Sequence, residues 1–164
     1  MSEPISRFAG GALYLDTMIL YGLLRSRNPS IEHLFQRIEN GEIQAHTCVL
    51  TFDELTYRLL LALIKDRYAG SPLEHLRQNQ AKLVGELYPE LELRLSQLHN
   101  FPNLSVHEIT ATDLTAMQSN MRQHHLLPRD ALHLAAMQKC GCFQLVSHDS
   151  GFDAVPFIQR YTLD

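Results

Sequence analysis

Short apolar runs and longer stretches of helical periodicity alternate along the whole chain. The runs have the length of buried strands and are bounded by turn residues or by helix starts. They are Ala12–Leu15, Ile43–Leu50, Leu104–Ile109 and Phe143–Ser147, with Phe157–Tyr161 as a shorter fifth candidate. Strands that alternate with helices in this way predict a three-layer α/β/α fold with a central parallel sheet of four to five strands.

Capping residues, prolines and glycines mark where the helices begin and end. The predicted helices are Thr17–Leu24, a helix between Ser30 and Asn40-Gly41, Phe52–Lys65 capped by Thr51, one beginning at Ser71-Pro72, Leu87–Leu98, Thr112–His124, and one between Pro128 and Gly141. The segment Leu59–Ile64 is apolar nearly all round, as expected of a helix that lies between the sheet and another surface. Part of that helix is therefore expected to face a partner.

The composition fits one folded domain that spans residues 1–164, with 45% hydrophobic and 20% charged residues. Residues 1–11 contain no apolar run, so we expect a flexible N-terminal segment and not a signal peptide. The longest strongly apolar stretch, Leu59–Ile64, is far shorter than the ~20 residues that span a bilayer. The three cysteines cannot all pair within one chain. Reduced thiols, a cytoplasmic location and no membrane attachment are the expectation.

Acidic residues stand at or near the carboxyl ends of the predicted strands. Asp16 ends the first strand, and Glu54 lies in the first turn of the helix after the second. Asp130 lies in the first turn of the helix before the fourth strand, and Asp149 follows that strand. Ligands of open parallel sheets bind beyond these ends, near the point where the strand order reverses. We therefore expect the four carboxylates to share one site.

Each of these acids also has a purely structural explanation. Asp16 can cap the helix that follows it, and Thr51 with Glu54 matches a capping box. Asp130 can complement a helix dipole, and Asp149 can form an Asx turn. These explanations leave open why all four positions are acidic without a lysine nearby.

Mutual repulsion decides what a shared site requires. Two unit charges about 4 Å apart repel by about 4 kcal/mol at an effective dielectric constant near 20, so clustered carboxylates need protons or a bound cation. Oxygen ligands select hard ions, and Mg²⁺ or Mn²⁺ held by a few carboxylates and several waters is usual in phosphate chemistry. Such an ion activates a water and stabilises charge on a phosphoryl group. The predicted reaction class is metal-assisted phosphodiester hydrolysis.

Four sequence segments resemble the PIN domain, and most closely the VapC-type toxins of toxin–antitoxin pairs. They are Leu13–Thr17, Glu54 within a helix, Arg129–Ala136 and Val146–Asp153. The resemblance runs from about Ala12 to Phe157, and its most specific parts are Asp-Ala-Leu-His-Leu-Ala-Ala and Ser-x-Asp-x-x-Phe-Asp. It implies a single PIN-like domain that acts as a Mg²⁺- or Mn²⁺-dependent endoribonuclease and leaves a 5′-phosphate. It also implies an RNA substrate, a small antitoxin partner in a type II system, and a homodimer.

The resemblance places four carboxylates at the catalytic metal site and a fifth beside it as an auxiliary acid: Asp16, Glu54, Asp130, Asp149 and Asp153. Arg129 is a candidate for contact with RNA phosphates, with a solvated surface role as the alternative for any single arginine. Ser147 and Thr17 are expected to hydrogen bond the acids or water, or to cap neighbouring amides. Two features depart from the family pattern. Met18 stands where many relatives carry a small polar residue that supports the first acid, and segment 69–100 is longer than in the smallest toxins.

Two other functions stay open from the sequence. One is a PIN-like protein that has lost activity and binds protein or RNA, and the other is a free-standing RNA-processing nuclease. The intact set of four carboxylates favours an active enzyme, and a neighbouring reading frame for a small DNA-binding protein would favour the toxin. Receiver domains are excluded because no lysine ends a predicted strand, and Asp-x-Asp phosphatases because Met18 is not acidic.

The charge balance agrees with a local acidic site. The chain carries 14 basic and 18 acidic residues, a net charge of −4 that argues against a broad basic surface for nucleic acid. Without the four proposed site acids, 14 acidic residues remain against 14 basic ones. The rest of the chain is therefore balanced, and any contact with nucleic acid is expected to be local.

Overall fold

The sheet at the centre of the fold is parallel throughout and has six strands in the computed structural model, which describes residues 2–164. The strands are β1 (Glu3–Pro4), β2 (Gly11–Leu15), β3 (Ile43–Cys48), β4 (Leu104–His107), β5 (Gln144–Val146) and β6 (Gln159–Thr162). Their order across the sheet is β1-β6-β5-β2-β3-β4. The predicted α/β fold with a parallel sheet is confirmed, and the predicted four to five strands are corrected to six.

Helices cover both faces of this sheet. Those in the described residues are α1 (Thr17–Arg25), α2 (Pro29–Glu39), α3 (Val49–Arg67), α4 (Pro72–His99), α5 (Asp113–His124) and α6 (Pro128–Cys140). Helices α1 to α4 share the largest apolar core with one face, and α5 and α6 pack on the other. Alternation along β2 supplies both cores, since Leu13 and Leu15 enter the first and Tyr14 enters the second.

The extra strand lies in the segment that we expected to be flexible. Glu3 pairs with Tyr161 and Pro4 with Thr162, so β1 forms an edge of the sheet. A proline is compatible with an edge strand because its missing N–H leaves no partner unpaired. Ile5 and Phe8 are buried behind it. Residues 3–8 are therefore ordered, whereas we expected a flexible segment. The sequence could not indicate this strand, because two residues are too few to show an alternating pattern. Met1 lies outside the described residues.

The middle third of the chain is helical from Pro72 to His99 as two segments that meet at a kink at Asn79, so two helices are present as we predicted, but the second begins before Leu87. Helix α4 runs over 28 residues from its Ser71 cap, and Pro89 lies within it. The only non-helical backbone inside α4 is at Asn79 (φ −137°, ψ 34°), ten residues before that proline. Buried leucines on one face of α4 pack against α3 and keep the helix continuous through Pro89. No helix in residues 2–164 combines the length and apolarity needed to cross a membrane.

Two glycines in helices test how tightly the layers pack. A Cβ at Gly22 would lie 2.4 Å from Cδ1 of the buried Ile31, whereas a Cβ at Gly85 would meet nothing within 4 Å. We expect Gly22→Ala to be destabilising, because overpacking costs about 1–3 kcal/mol and the gain in helix propensity is only about 1 kcal/mol. Gly85→Ala should raise the free energy of unfolding by about 0.5–1 kcal/mol. Urea denaturation measures both, and equal stabilisation would contradict the close α1–α2 packing.

Candidate active site

A cavity of about 750 Å³ opens where the strand order reverses. The chain proceeds from β2 through β3 to β4 on one side, and β5 and β6 lie on the other side of β2. All four carboxylates predicted at strand ends line this cavity: Asp16, Glu54, Asp130 and Asp149. The sheet topology therefore brings together side chains that are up to 133 positions apart in the sequence.

Ser147 joins the two acids that follow neighbouring strands. The Ser147 hydroxyl donates a hydrogen bond to Oδ2 of Asp16 and accepts one from the backbone N–H of Asp149 at 2.9 Å. Asp16 also caps α1, since its Oδ1 accepts from the Thr17 N–H at 2.6 Å. Asp149 forms an Asx turn through the Gly151 N–H at 2.7 Å. Both structural explanations from the sequence hold, but capping accounts for only one oxygen of each acid.

The capping-box explanation of Glu54 is wrong. Helix α3 begins at Val49, three residues earlier than we predicted, so Thr51 lies inside it and accepts a hydrogen bond from Thr47 Oγ1 at 2.8 Å. Glu54 instead faces the cavity. Its carboxylate accepts from Thr17 Oγ1 at 2.6 Å and from Arg129 Nη1 at 3.1 Å.

His133 is the buried neighbour of Glu54. Its Nδ1 lies 3.1 Å from the Tyr14 hydroxyl and 3.6 Å from the Cys48 thiol, and its Nε2 lies 3.7 Å from Glu54 Oε2. Burial opposes the charge on His133, but Cys48 and Glu54 favour it and raise its pKa to about 10. Conversely, His133 holds the pKa of Glu54 at about 2 against the effect of burial, with help from Thr17 and Arg129. Glu54 is therefore ionised, and its negative charge is balanced by the neighbouring Arg129 and His133.

Asp130 lacks such compensation. It lies in the first turn of α6, and its pKa is raised, first by burial and then by the charge of Asp149. Asp16 and Glu54 add to this effect, and only His133 opposes it. Within residues 2–164, Arg129 and His133 pair with Glu54 and no cationic side chain forms an ion pair with the three aspartates, where a bound cation would relieve the repulsion.

A sequence model of the PIN domain family matches residues 13–158, which is most of the chain. The chain belongs to the PIN family. The match spans β2 to the residue before β6 and includes every carboxylate that lines the cavity. No curated protein sequence matches this PIN chain.

Solved structures with the same fold include toxin–antitoxin proteins. VapBC2 of Rickettsia felis, bound to a DNA fragment from its promoter, has a TM-score of 0.61 at 12% identity over 93% of this chain and 99% of that one. A toxin–antitoxin complex of Klebsiella pneumoniae has a TM-score of 0.56 at 17% identity, and the match covers 90% of this chain and 94% of that one. VapC20 of Mycobacterium tuberculosis, a Sarcin-Ricin loop cleaving toxin, gives 0.57 at 14% over 90% and 97%. At these identities the likeness concerns the fold.

The donor set of the PIN cavity fits a hydrated hard cation. All four candidate ligands are carboxylates, and the pKa of Asp130 is raised first by burial and then by the charge of Asp149. No three of them bring ligand oxygens within 4.8 Å of one another in the described part of the chain. Mg²⁺ commonly takes one or two carboxylates and keeps several waters, so this spacing suits an ion held partly through water.

Some of the other residues in and around the PIN cavity were predicted from the sequence, and others were not. Arg129 lines the wall, whereas Thr17 and Ser147 hold the acids by the hydrogen bonds described above. Arg58 also lines the cavity and was not predicted, although its position four residues after Glu54 places both on one face of α3. Further lining residues are Met18, Leu127, Pro128, His133 and His148. Ser147, and not the residue at position 18, supports the first acid.

Asp153, expected as an auxiliary acid, is not brought to the cavity. Both of its oxygens accept hydrogen bonds from the guanidinium of Arg160, at 2.8 Å each. Arg160 is buried and also donates to the backbone oxygen of Ser147 at 3.1 Å. The ion pair therefore supports the turn that carries Asp149.

This ion pair gives stability a defined pH dependence. Hydrogen bonds from Arg160 lower the pKa of Asp153, so the stabilisation is present above about pH 4 and is lost as pH falls through the folded-state pKa. The Asp153 side chain is about one-third exposed (35%), so screening limits the effect to about 1 kcal/mol. Urea denaturation should show Asp153→Asn to be less stable than wild type near pH 6, with the difference shrinking toward pH 3. The exposed Asp53→Asn is the control, and a pH-independent difference would contradict the assignment.

Proposed function

We propose that this PIN protein is a Mg²⁺- or Mn²⁺-dependent endoribonuclease and the toxin of a type II toxin–antitoxin pair. The observation that carries the nuclease proposal is the convergence of four carboxylates from separate elements on one cavity, with the pKa of Asp130 raised. Family membership and the toxin–antitoxin neighbours support the same function.

The residues divide into three roles. Asp16, Asp130 and Asp149 hold the metal directly or through water, because no cationic side chain of the described residues forms an ion pair with any of them. The bound metal supplies an activated water and stabilises charge on the scissile phosphate. Glu54 binds metal or orients the attacking water, and its low pKa makes it a poor proton acceptor but keeps it ionised. Arg129, two-thirds exposed at the cavity, meets a phosphate of the RNA.

The nuclease proposal is tested by cleavage of single-stranded and structured RNAs. We expect cleavage with Mg²⁺ or Mn²⁺ and none with a chelator. Asp130→Asn should reduce the rate at least about 100-fold, since even outer partners of metal ligands contribute 10–100-fold. Glu39→Gln, at an exposed carboxylate outside the cavity, is the matched control. Metal-independent cleavage, or full activity of a folded Asp130→Asn protein, would refute the site.

The antitoxin is proposed to bind along α3 beside the cavity. A second cavity of about 470 Å³ adjoins the first, shares Glu54, Arg58 and Arg129 with it, and is also lined by Tyr57 and Leu61. Tyr57 is about half exposed (48%). An apolar segment seated here reaches the catalytic acids and blocks the entry of RNA. A homodimer is also proposed, on the resemblance to VapC-type toxins.

The toxin role predicts an effect on growth. Expression of the wild-type chain in bacteria should arrest growth, whereas Asp130→Asn should not, because arrest requires cleavage of RNA. Co-expression of the protein encoded by an adjacent small reading frame should restore growth, and Tyr57→Asp should weaken that rescue. Active RNA cleavage in vitro without any arrest would favour the free-standing RNA-processing nuclease.

A further inference from the structure

A second group of metal-binding side chains lies outside the acidic cavity. His46 belongs to β3, His107 ends β4, and Cys140 is the last residue of α6. In β3, Ile43 and Ala45 belong to the core under α1 to α4, whereas Cys48 belongs to the core under α6. His46 alternates with Ala45 and therefore projects toward the α6 side. Three separate elements meet at this point.

The geometry of the group is compact. Nδ1 of His46 lies 2.9 Å from Nε2 of His107, and the two rings stack with centroids 5.2 Å apart and planes inclined by 29°. The Cys140 Sγ completes a set in which all ligand atoms lie within 4.8 Å of one another. Among residues 2–164, no other three His, Cys, Asp or Glu side chains meet that condition.

The donor types specify a different ion from that of the acidic cavity. Two imidazole nitrogens and a thiolate suit zinc and similar transition metals, whereas Mg²⁺ and Mn²⁺ prefer oxygen. Tetrahedral zinc with bonds of about 2.0–2.3 Å separates its ligand atoms by roughly 3.5 Å. The two ring nitrogens therefore need to open by about 0.6 Å from their present separation, which a small ring rotation supplies.

A histidine–histidine hydrogen bond is the simplest other explanation, and it accounts for only part of the arrangement. It requires two imidazoles and does not explain why the half-buried Cys140 thiol, which donates a hydrogen bond of 3.5 Å to the backbone oxygen of Met137, also lies beside them.

We propose that His46, His107 and Cys140 form a zinc site that fastens the C-terminal end of α6 to β3 and β4. Three protein ligands leave a fourth position for water. Since α6 also carries Asp130 in its first turn, the site anchors the helix that supplies one acid of the cavity. The site does not depend on the nuclease function.

Cobalt provides the first test, because Co²⁺ replaces zinc and shows a charge-transfer band only when a thiolate binds it. The full-length protein is stripped with a chelator and titrated with Co²⁺ and then with Zn²⁺. We expect one equivalent to produce the band and Zn²⁺ to abolish it. Cobalt bound by the carboxylates of the acidic cavity gives no such band. Absence of the band in the wild-type protein would overturn the proposal.

Variants then identify the ligands. Cys140→Ser should remove the band, and His107→Gln should weaken Co²⁺ binding at least about tenfold. The exposed His33→Gln should bind as wild type does. An unchanged band in a folded Cys140→Ser protein would refute the assignment.

Thiol protection keeps the test independent of any variant that fails to fold. The wild-type protein is alkylated with and without Zn²⁺, and the modified cysteine is found by peptide mass spectrometry. We expect Zn²⁺ to slow the modification of Cys140 at least about tenfold, as a bound thiolate is withdrawn from reaction. Equal labelling of Cys140 in both conditions would contradict the proposal.

Discussion

Repulsion between like charges at the reversal of strand order is the constraint on which the rest of the structure depends. Parallel strands β2 and β5 are neighbours and end at the same edge, so Asp16 and Asp149 necessarily come close together. Helix α6 adds Asp130, whose pKa is raised first by burial and then by repulsion from Asp149, Asp16 and Glu54. The fold therefore has to hold carboxylates in place without cancelling the charge that a cation requires.

Hydroxyl groups hold two of these carboxylates in place without removing their charge, which a lysine could not do. Ser147 fixes Asp16, and Thr17 fixes Glu54, each by a hydrogen bond that leaves the carboxylate charged. An ammonium group in the same place would neutralise the acid and occupy the position of the metal. Among the described residues, the cationic groups that contact a carboxylate of the cavity, Arg129 and His133, both do so at Glu54. Glu54 is thus paired with cationic side chains, whereas Asp16, Asp130 and Asp149 are without such partners among the described residues and can take a cation.

Local signals in the sequence were enough to predict the alternation of strands with helices and the four acids that line the cavity, because each depends on neighbouring residues. The features that were missed depend on contacts between distant residues. Glu3 pairs with Tyr161 across the whole chain, and His46 meets His107 from 61 positions away. No periodicity records such pairings, since they exist only once the sheet has formed.

Helix α6 connects the two sites that the fold creates. Asp130 lies in its first turn and Cys140 at its last residue, so the two are separated by about 15 Å along the helix axis. Ala131 and Leu134 are fully buried between them, which fixes the helix against the sheet. Because Cys140 lies at the far end of α6, its sulfur cannot reach an ion that is held by the carboxylates. The oxygen ligands and the sulfur ligand therefore belong to separate sites. A metal at the proposed zinc site would therefore hold the end of the helix that carries Asp130 without entering the cavity.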